Sequence, residues 1–210
     1  MSRSLLLPYL ATAAILVACS PAADAADEGS APEATIAAAS DASCFVRGAD
    51  LNAARERPSP LTELRFDIGG DEVLFCYGAP SSNNRTMIGG VEAFGSPWRL
   101  GANEATAIHL PFAAEIGGVA VEPGTYSIYA VPGESEWEFF VNSNYERWGI
   151  PINDDVVATN IGSFTRPVAS TANHVETLTF TWQSHGDTMG HVVMEWENTR
   201  VEIPVHRSGS

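Results

Sequence analysis

The stretch Trp98-Arg99-Leu100-Gly101-Ala102-Asn103-Glu104-Ala105-Thr106 holds an indole, a guanidinium, a carboxamide, a carboxylate and a hydroxyl, the densest set of chemically capable side chains in the sequence. If Arg99 and Glu104 face one pocket, the arginine can hold an anionic or hydroxylated ligand. The glutamate can then accept a hydrogen bond or act as a general base. Glu104 and Arg99 are therefore the catalytic candidates, and Arg85, Trp98, Arg99, Asn103 and Glu104 the ligand-binding candidates. Arg85 joins them as a second cation, in the turn-rich loop Ser81-Ser82-Asn83-Asn84-Arg85-Thr86. The competing reading is architectural: Arg99 and Glu104 pair with each other to pin a loop, and Trp98 plugs the core. Glycoside hydrolysis usually needs two carboxylates. Asp71, Glu92 or Glu115 would have to supply the second, and no spacing demands it.

Other chemistries find less support. The histidines, His109, His174, His185, His191 and His206, show no metal-ligand spacing, so no metal is expected. No Gly-x-Ser-x-Gly elbow, P-loop or dinucleotide fingerprint occurs, and no cofactor is expected. Tyr126, Tyr129, Trp137, Tyr145 and Trp148 would stack sugars if they shared an exposed face, but aromatic strand residues more often fill a core.

The elements that must position these groups are strands. Leu61–Ile68 alternates apolar and polar residues, ends at Gly69-Gly70-Asp71 and reads as a hairpin with Asp71–Tyr77. Short strand patterns follow at Thr106–Leu110, Ala113–Ile116, Val119–Val121, Thr125–Val131 and Trp137–Val141. Thr177–Trp182 alternates with Leu178, Phe180 and Trp182 on one face. Val192–Trp196 and Val201–Val205 read as a closing hairpin around Asn198-Thr199. The strongest helical pattern is one or two turns at Asp154–Thr159. Short strands punctuated by Gly and Pro predict an all-β fold: a single two-sheet β-sandwich, jelly-roll-like, with few or no helices. The irregular Ala79–Ala105 segment is expected to cross one end.

Residues 1–18 read as a secretory signal, with Arg3 in the n-region and an apolar run from Leu5 to Val17 too short to span a bilayer. Leu16-Val17-Ala18-Cys19 resembles the bacterial lipobox, which implies acylation of Cys19 and attachment to the membrane through that lipid. Ser20 after the cysteine fits outer-membrane delivery. Residues 19–43, rich in Ala, Ser, Pro, Asp and Glu, cannot bury enough surface to offset chain entropy and read as a tether. The folded domain then spans 44–207. With Cys19 acylated, Cys44 and Cys76 remain in an oxidising compartment and are expected to form a disulfide.

The 210 residues are 45% hydrophobic with a formal net charge of -15, enough for one good core. All basic residues are arginine, and no basic footprint exists, which excludes nucleic acid as an expected partner.

A set of ordered motifs carries a family resemblance. Arg85-Thr86-Met87-Ile88-Gly89-Gly90 precedes Trp98–Thr106. Ile116-Gly117-Gly118 and the run Glu122-Pro123-Gly124-Thr125-Tyr126-Ser127-Ile128-Tyr129-Ala130-Val131-Pro132-Gly133 follow it. Glu136-Trp137, Arg147-Trp148-Gly149 and Glu195-Trp196-Glu197-Asn198-Thr199 complete the set. Covering nearly all of residues 57–206, the chain resembles the bacterial domain of unknown function 2911. Leu100 stands where relatives usually carry threonine, and Ala93-Phe94-Gly95-Ser96-Pro97 replaces a Val-Pro-Tyr-Gly-type run; neither departure removes a charged group. The resemblance implies a small secreted β-rich domain and brings no established activity.

Three functions are thus open. The first is a lipid-anchored envelope module that binds a glycan, a cell-envelope fragment or a protein. The second is a hydrolase or lyase using Glu104 as acid/base with Arg99. The third is a purely structural envelope protein, favoured if Arg99 and Glu104 are buried and paired only with each other and with backbone.

Overall fold

The structure is a computed structural model and describes residues 42–209. The expected signal sequence, Cys19 and all but the end of the expected tether lie outside the described residues. A short helix α1 (Leu51–Arg55) precedes strands β1 (Leu61–Ile68), β2 (Asp71–Gly78), β3 (Ala107–Leu110), β4 (Ala114–Ile116), β5 (Val119–Val121), β6 (Gly124–Val131) and β7 (Glu136–Asn142). Helix α2 (Asp154–Val157) follows, then β8 (Asn160–Pro167), β9 (Ala169–Ser184) and β10 (Met189–Arg207). They form an all-β sandwich of two antiparallel sheets, one in the order β1-β2-β3-β6-β7-β8 and the other β5-β4-β10-β9.

Local chemistry sets the turns. Gly69 and Gly70 link β1 to β2 with φ of 67° and 89°, so Ile68 pairs with Asp71 across a two-residue loop. Such a turn needs positive φ at both central residues, which glycine adopts without steric penalty. Helix α2 falls where the helical pattern placed it, its Asn153 side chain capping the Val156 amide. Helix α1 carries no long apolar period and rests on its cap, the Asp50 carboxylate accepting from the Ala53 amide at 2.8 Å.

β10 doubles back on itself. In a straight strand His191 and Glu202 would stand roughly 35 Å apart. Instead His191 Nδ1 lies 2.7 Å from Glu202 Oε2, Arg200 Nη1 donates to Glu195 at 2.7 Å, and the Arg207 amide reaches the Thr188 carbonyl at 2.8 Å. The reversal includes Glu197, at φ 53°. The expected closing hairpin is therefore present as two arms of one element. The first arm pairs with β9 and the second with β4.

The inner faces meet in one core. Phe66, Phe75, Ile108, Ile128 and Phe139 from the larger sheet face Phe180, Met194 and Val205 from the smaller. Each such side chain contributes about 1.5–3 kcal/mol by burial. Phe66 stacks on Trp182 at 4.2 Å between ring centroids, which closes the corner between β1 and β9. At the opposite corner Phe164 of β8 covers Gly117, where a Cβ would collide with its ring.

A second, small core lies on the outer face of the larger sheet. Residues 42–60 run across it as a strap, burying Cys44, Ala54, Leu61, Leu74 and Cys76 together. The Cys44–Cys76 disulfide fixes the strap to β2, with Cα atoms 5.8 Å apart. Closing 32 residues of chain corresponds to about 3–4 kcal/mol.

Candidate functional site

The Ala79–Ala105 segment crosses one end of the sandwich and is clamped at two points by carboxylates of the smaller sheet. Glu176 of β9 accepts from the Ser82 hydroxyl at 2.6 Å and the Asn83 amide at 2.7 Å. These bonds, with His174, hold its carboxyl below the usual range. Glu197, at the β10 reversal, accepts from the amides of Met87 and Ile88 at 3.1 and 3.0 Å with a single oxygen. Two motifs far apart in sequence are thereby explained as one joint: Arg85–Gly90 supplies the amides and Glu195–Thr199 the acceptor.

Trp98 is buried at the centre of a tryptophan cluster. Its ring stacks on Trp196 at 5.7 Å and meets Trp137 edge-on at 5.8 Å. Its backbone pairs with Ala130 of β6, N to O at 2.7 and 2.9 Å. Only 2% exposed, Trp98 is a core plug and cannot stack on a ligand from solvent. Leu100 and Asn103 follow in the left-handed region, at φ 59° and 65°. A bulky residue there is strained by about 1–3 kcal/mol. The Gly101-Ala102 pair does permit a close backbone approach, and what approaches is the protein's own β2: Ala102 donates to the Gly78 carbonyl at 3.2 Å.

Arg99 and Glu104 point to different partners. Glu104 is 5% exposed and both its oxygens are engaged. Arg57 of the strap donates to Oε2 at 2.7 Å, and the Arg47 amide donates to Oε1 at 3.0 Å. The guanidinium of Arg57 also lies over the Trp148 ring, 5.8 Å from its centroid. The pairing of Glu104 with Arg99 in the architectural reading is thus absent, because the strap supplies the cation instead. A cavity of about 10 Å³ adjoins Glu104, lined also by Phe45, Leu61, Tyr77, Ala107 and Tyr145. It has room for roughly one water. Glu104 is its only carboxylate.

Arg99 is half-buried on another side of the same loop. Its Nε and Nη1 donate to the carbonyls of Gly101 and Asn103 at 3.3 and 3.5 Å. Its stem packs on Gly149, where any Cβ would collide with it. The Gly149 amide donates to the Asn103 carbonyl at 2.8 Å, and the Ala105 amide to the Arg147 carbonyl at 3.2 Å. The Arg147-Trp148-Gly149 and Trp98–Thr106 motifs therefore interlock. Arg147 locks its own loop by donating to the carbonyls of Asn144, Trp148 and Gly149. Among the described residues Arg99 makes no ion pair. The opposing charge that acts on it is Glu92, whose carboxyl is raised by burial while Arg99 pulls it down. Arg99 is shifted down by burial and up by Glu92.

The remaining candidates disperse. Arg85 donates to the carbonyls of Ser82 and Ser81, within its own loop. Asn103 donates to the Ser59 carbonyl at 2.8 Å and so ties the loop to the strap's end. Asp71 pairs with Arg207 at 2.5 Å, on a different turn. Tyr129 and Trp137 are buried, so the five aromatics form no common platform. Among the described residues no group of three or more His, Cys, Asp or Glu is arranged to hold a metal. A second depression of about 380 Å³, lined by Asp67, Gly69, Gly70 and Asp187, contains none of the candidates. Sequence reasoning missed Arg57 and Gly149. Arg57 lies in a segment without strand or helix pattern, and its one signal is position, on the chain side that the Cys44–Cys76 bridge holds against β2. Gly149 was visible as part of a motif, but its role as the floor under Arg99 requires the fold.

No curated protein and no solved structure matches this chain. The description "Protein of unknown function (DUF2911)" matches residues 59–205, which include every motif above and both clamps, but not the strap from 42 to 58. The chain belongs to the DUF2911 family of proteins of unknown function.

Proposed function

We propose that this protein is a lipid-anchored module of the bacterial cell envelope that binds a peptide-bearing envelope fragment at the loop end around Arg99. The observation that carries the proposal is the state of Arg99: half-buried, fixed at Nε and Nη1 by carbonyls, with Nη2 free of any partner among the described residues. A guanidinium held in place this way loses little freedom on binding. Glu92, on the same loop segment, carries a charge of opposite sign whose field Arg99 feels. Val91 next to Glu92, Phe94 and Ile150 next to Gly149 are exposed at 54%, 43% and 50%. Exposed apolar side chains on the two loops that interlock at Arg99 fit a recognition surface. A cation and an anion on one loop end suit a peptide or another neutral or zwitterionic group. A net charge of -15 disfavours polyanions. Anchoring through Cys19 rests on the lipobox-like Leu16–Cys19 alone, and delivery to the outer membrane on Ser20 after it.

Two features weigh against a hydrolase or lyase built on Glu104. Both its oxygens are engaged, and its cavity admits no substrate. In this reading Glu104 serves the architecture and Arg99 the recognition. Calorimetric titration of the protein with muropeptides, neutral disaccharides and acidic polysaccharide tests it. Binding of muropeptides that disappears in Arg99→Ala, while the variant stays folded at the titration temperature with a fall in melting of only about 2–4 °C, is expected. Equal binding by wild type and Arg99→Ala would refute the site.

A further inference from the structure

The surroundings of Glu104 have the makeup of a cation receptor that is already filled. A carboxylate, 5% exposed, stands beside the half-buried Trp148 ring, to which Glu104 is joined by a backbone bridge. A carboxylate next to an aromatic face is the arrangement that holds a guanidinium, by a charge-assisted hydrogen bond on one side and cation–π attraction on the other. Arg57 occupies it in just this way, at 2.7 Å from Oε2 and 5.8 Å from the ring centroid. The occupant and the receptor have different origins in the chain. Glu104 and Trp148 lie inside the DUF2911 match, whereas Arg57 lies N-terminal to it, on the disulfide-held strap.

We infer that the Glu104–Trp148 cradle is a guanidinium-binding site for which Arg57 is an internal ligand, and that an arginine side chain supplied by another molecule can take its place. The cradle's ligand class is thus a guanidinium, favoured over an ammonium because a planar ion can face the ring and reach the carboxylate together. The strongly acidic chain also draws cationic groups toward it. The strap acts as a built-in competitor, and its hold on the sheet sets how readily the site accepts a ligand in trans. This inference is independent of binding at Arg99.

Chemical rescue tests it. Arg57→Ala removes the occupant and leaves the cradle and the disulfide. Melting of this variant is followed with N-acetyl-arginine amide, with N-acetyl-lysine amide as the comparison. The arginine compound is expected to raise the melting temperature of Arg57→Ala by about 3 °C at a tenfold excess over its Kd. The lysine compound should do less, the wild type, in which Arg57 competes, should respond only at a much higher concentration, and Arg57→Ala/Glu104→Gln should lose the effect. No rescue, or rescue that persists without the Glu104 charge, overturns the inference. Should Arg57→Ala not fold alone, its refolding yield in the presence of each compound gives the same comparison.

Discussion

Glu104→Gln should destabilise the fold far more than Arg99→Ala, although the two residues belong to one motif. Glutamine keeps the volume of Glu104 and can still accept from the Arg47 amide. It removes the charge that meets Arg57 at 2.7 Å. Breaking a fully buried pair costs about 3–5 kcal/mol, because the remaining charge is left without compensation. Arg57 retains 20% side-chain exposure and can turn partly to water, so the expected loss is about 2–4 kcal/mol. For a domain of this size that is a fall in Tm of roughly 5–12 °C. Arg99→Ala removes two long bonds to carbonyls, at 3.3 and 3.5 Å, and some packing on Gly149. Its expected loss is about 1 kcal/mol. Urea unfolding with the disulfide intact, with the slope m compared between variants, reads both values. A Glu104→Gln variant as stable as the wild type would refute the assignment of Glu104 to the architecture. So would an Arg99→Ala loss as large as that of Glu104→Gln.

Three further perturbations separate other parts of the account. Replacing Cys44 and Cys76 by serine together should lower stability by about 3–4 kcal/mol in urea unfolding, and an unchanged midpoint would mean that the strap's own packing suffices. Gly149→Ala should displace Arg99 without removing it, because the new Cβ would occupy the place of the arginine stem. Muropeptide affinity should fall at least tenfold, and unchanged affinity would show that the position of Arg99 does not matter. His109 is held below the usual histidine range by burial, with Nδ1 2.8 Å from the Thr125 hydroxyl. The unfolded chain therefore binds a proton that the folded one refuses, so stability should fall as pH drops below about 6.5 toward the folded value. His109→Gln should flatten that part of the pH–stability curve, and an unaltered slope would assign it to other groups.

Much of this fold can be read in the sequence because burial alternates where the strands are amphipathic. β1, β6, β7 and the Leu178–Trp182 part of β9 each show an apolar face, and the Gly69-Gly70 turn fixes the first register. β8 and the start of β9 are silent for the same reason. β8 buries only Phe164, and Ala169–Glu176 buries nothing fully, so no apolar period marks them. They are strands because their backbones pair, β8 with β7 and the start of β9 with the tip of β10. The Cys44–Cys76 disulfide was legible as the pair left once Cys19 is read as a lipobox cysteine, whereas the strap it holds carries no periodic signal. The Trp98–Thr106 motif was visible as a centre of organisation, and it is one: Trp98 joins the tryptophan cluster, Asn103 the strap, and Glu104 the Arg57 cradle. The partners were not visible. Sequence proximity suggested Arg99 for Glu104, yet the left-handed turns at Leu100 and Asn103 send the two side chains to different neighbours. A pair five residues apart in an irregular loop has no periodicity to fix its relative direction.

The most direct measurement is on Arg99 itself. The Nε–H resonance of each arginine can be followed by NMR during titration with a muropeptide, and the sequence carries no lysine and only 11 arginines. The account predicts a saturable shift of the Arg99 signal, with the signals of Arg85 and Arg147 in place. Saturable binding that leaves Arg99 unmoved and shifts another arginine would contradict it.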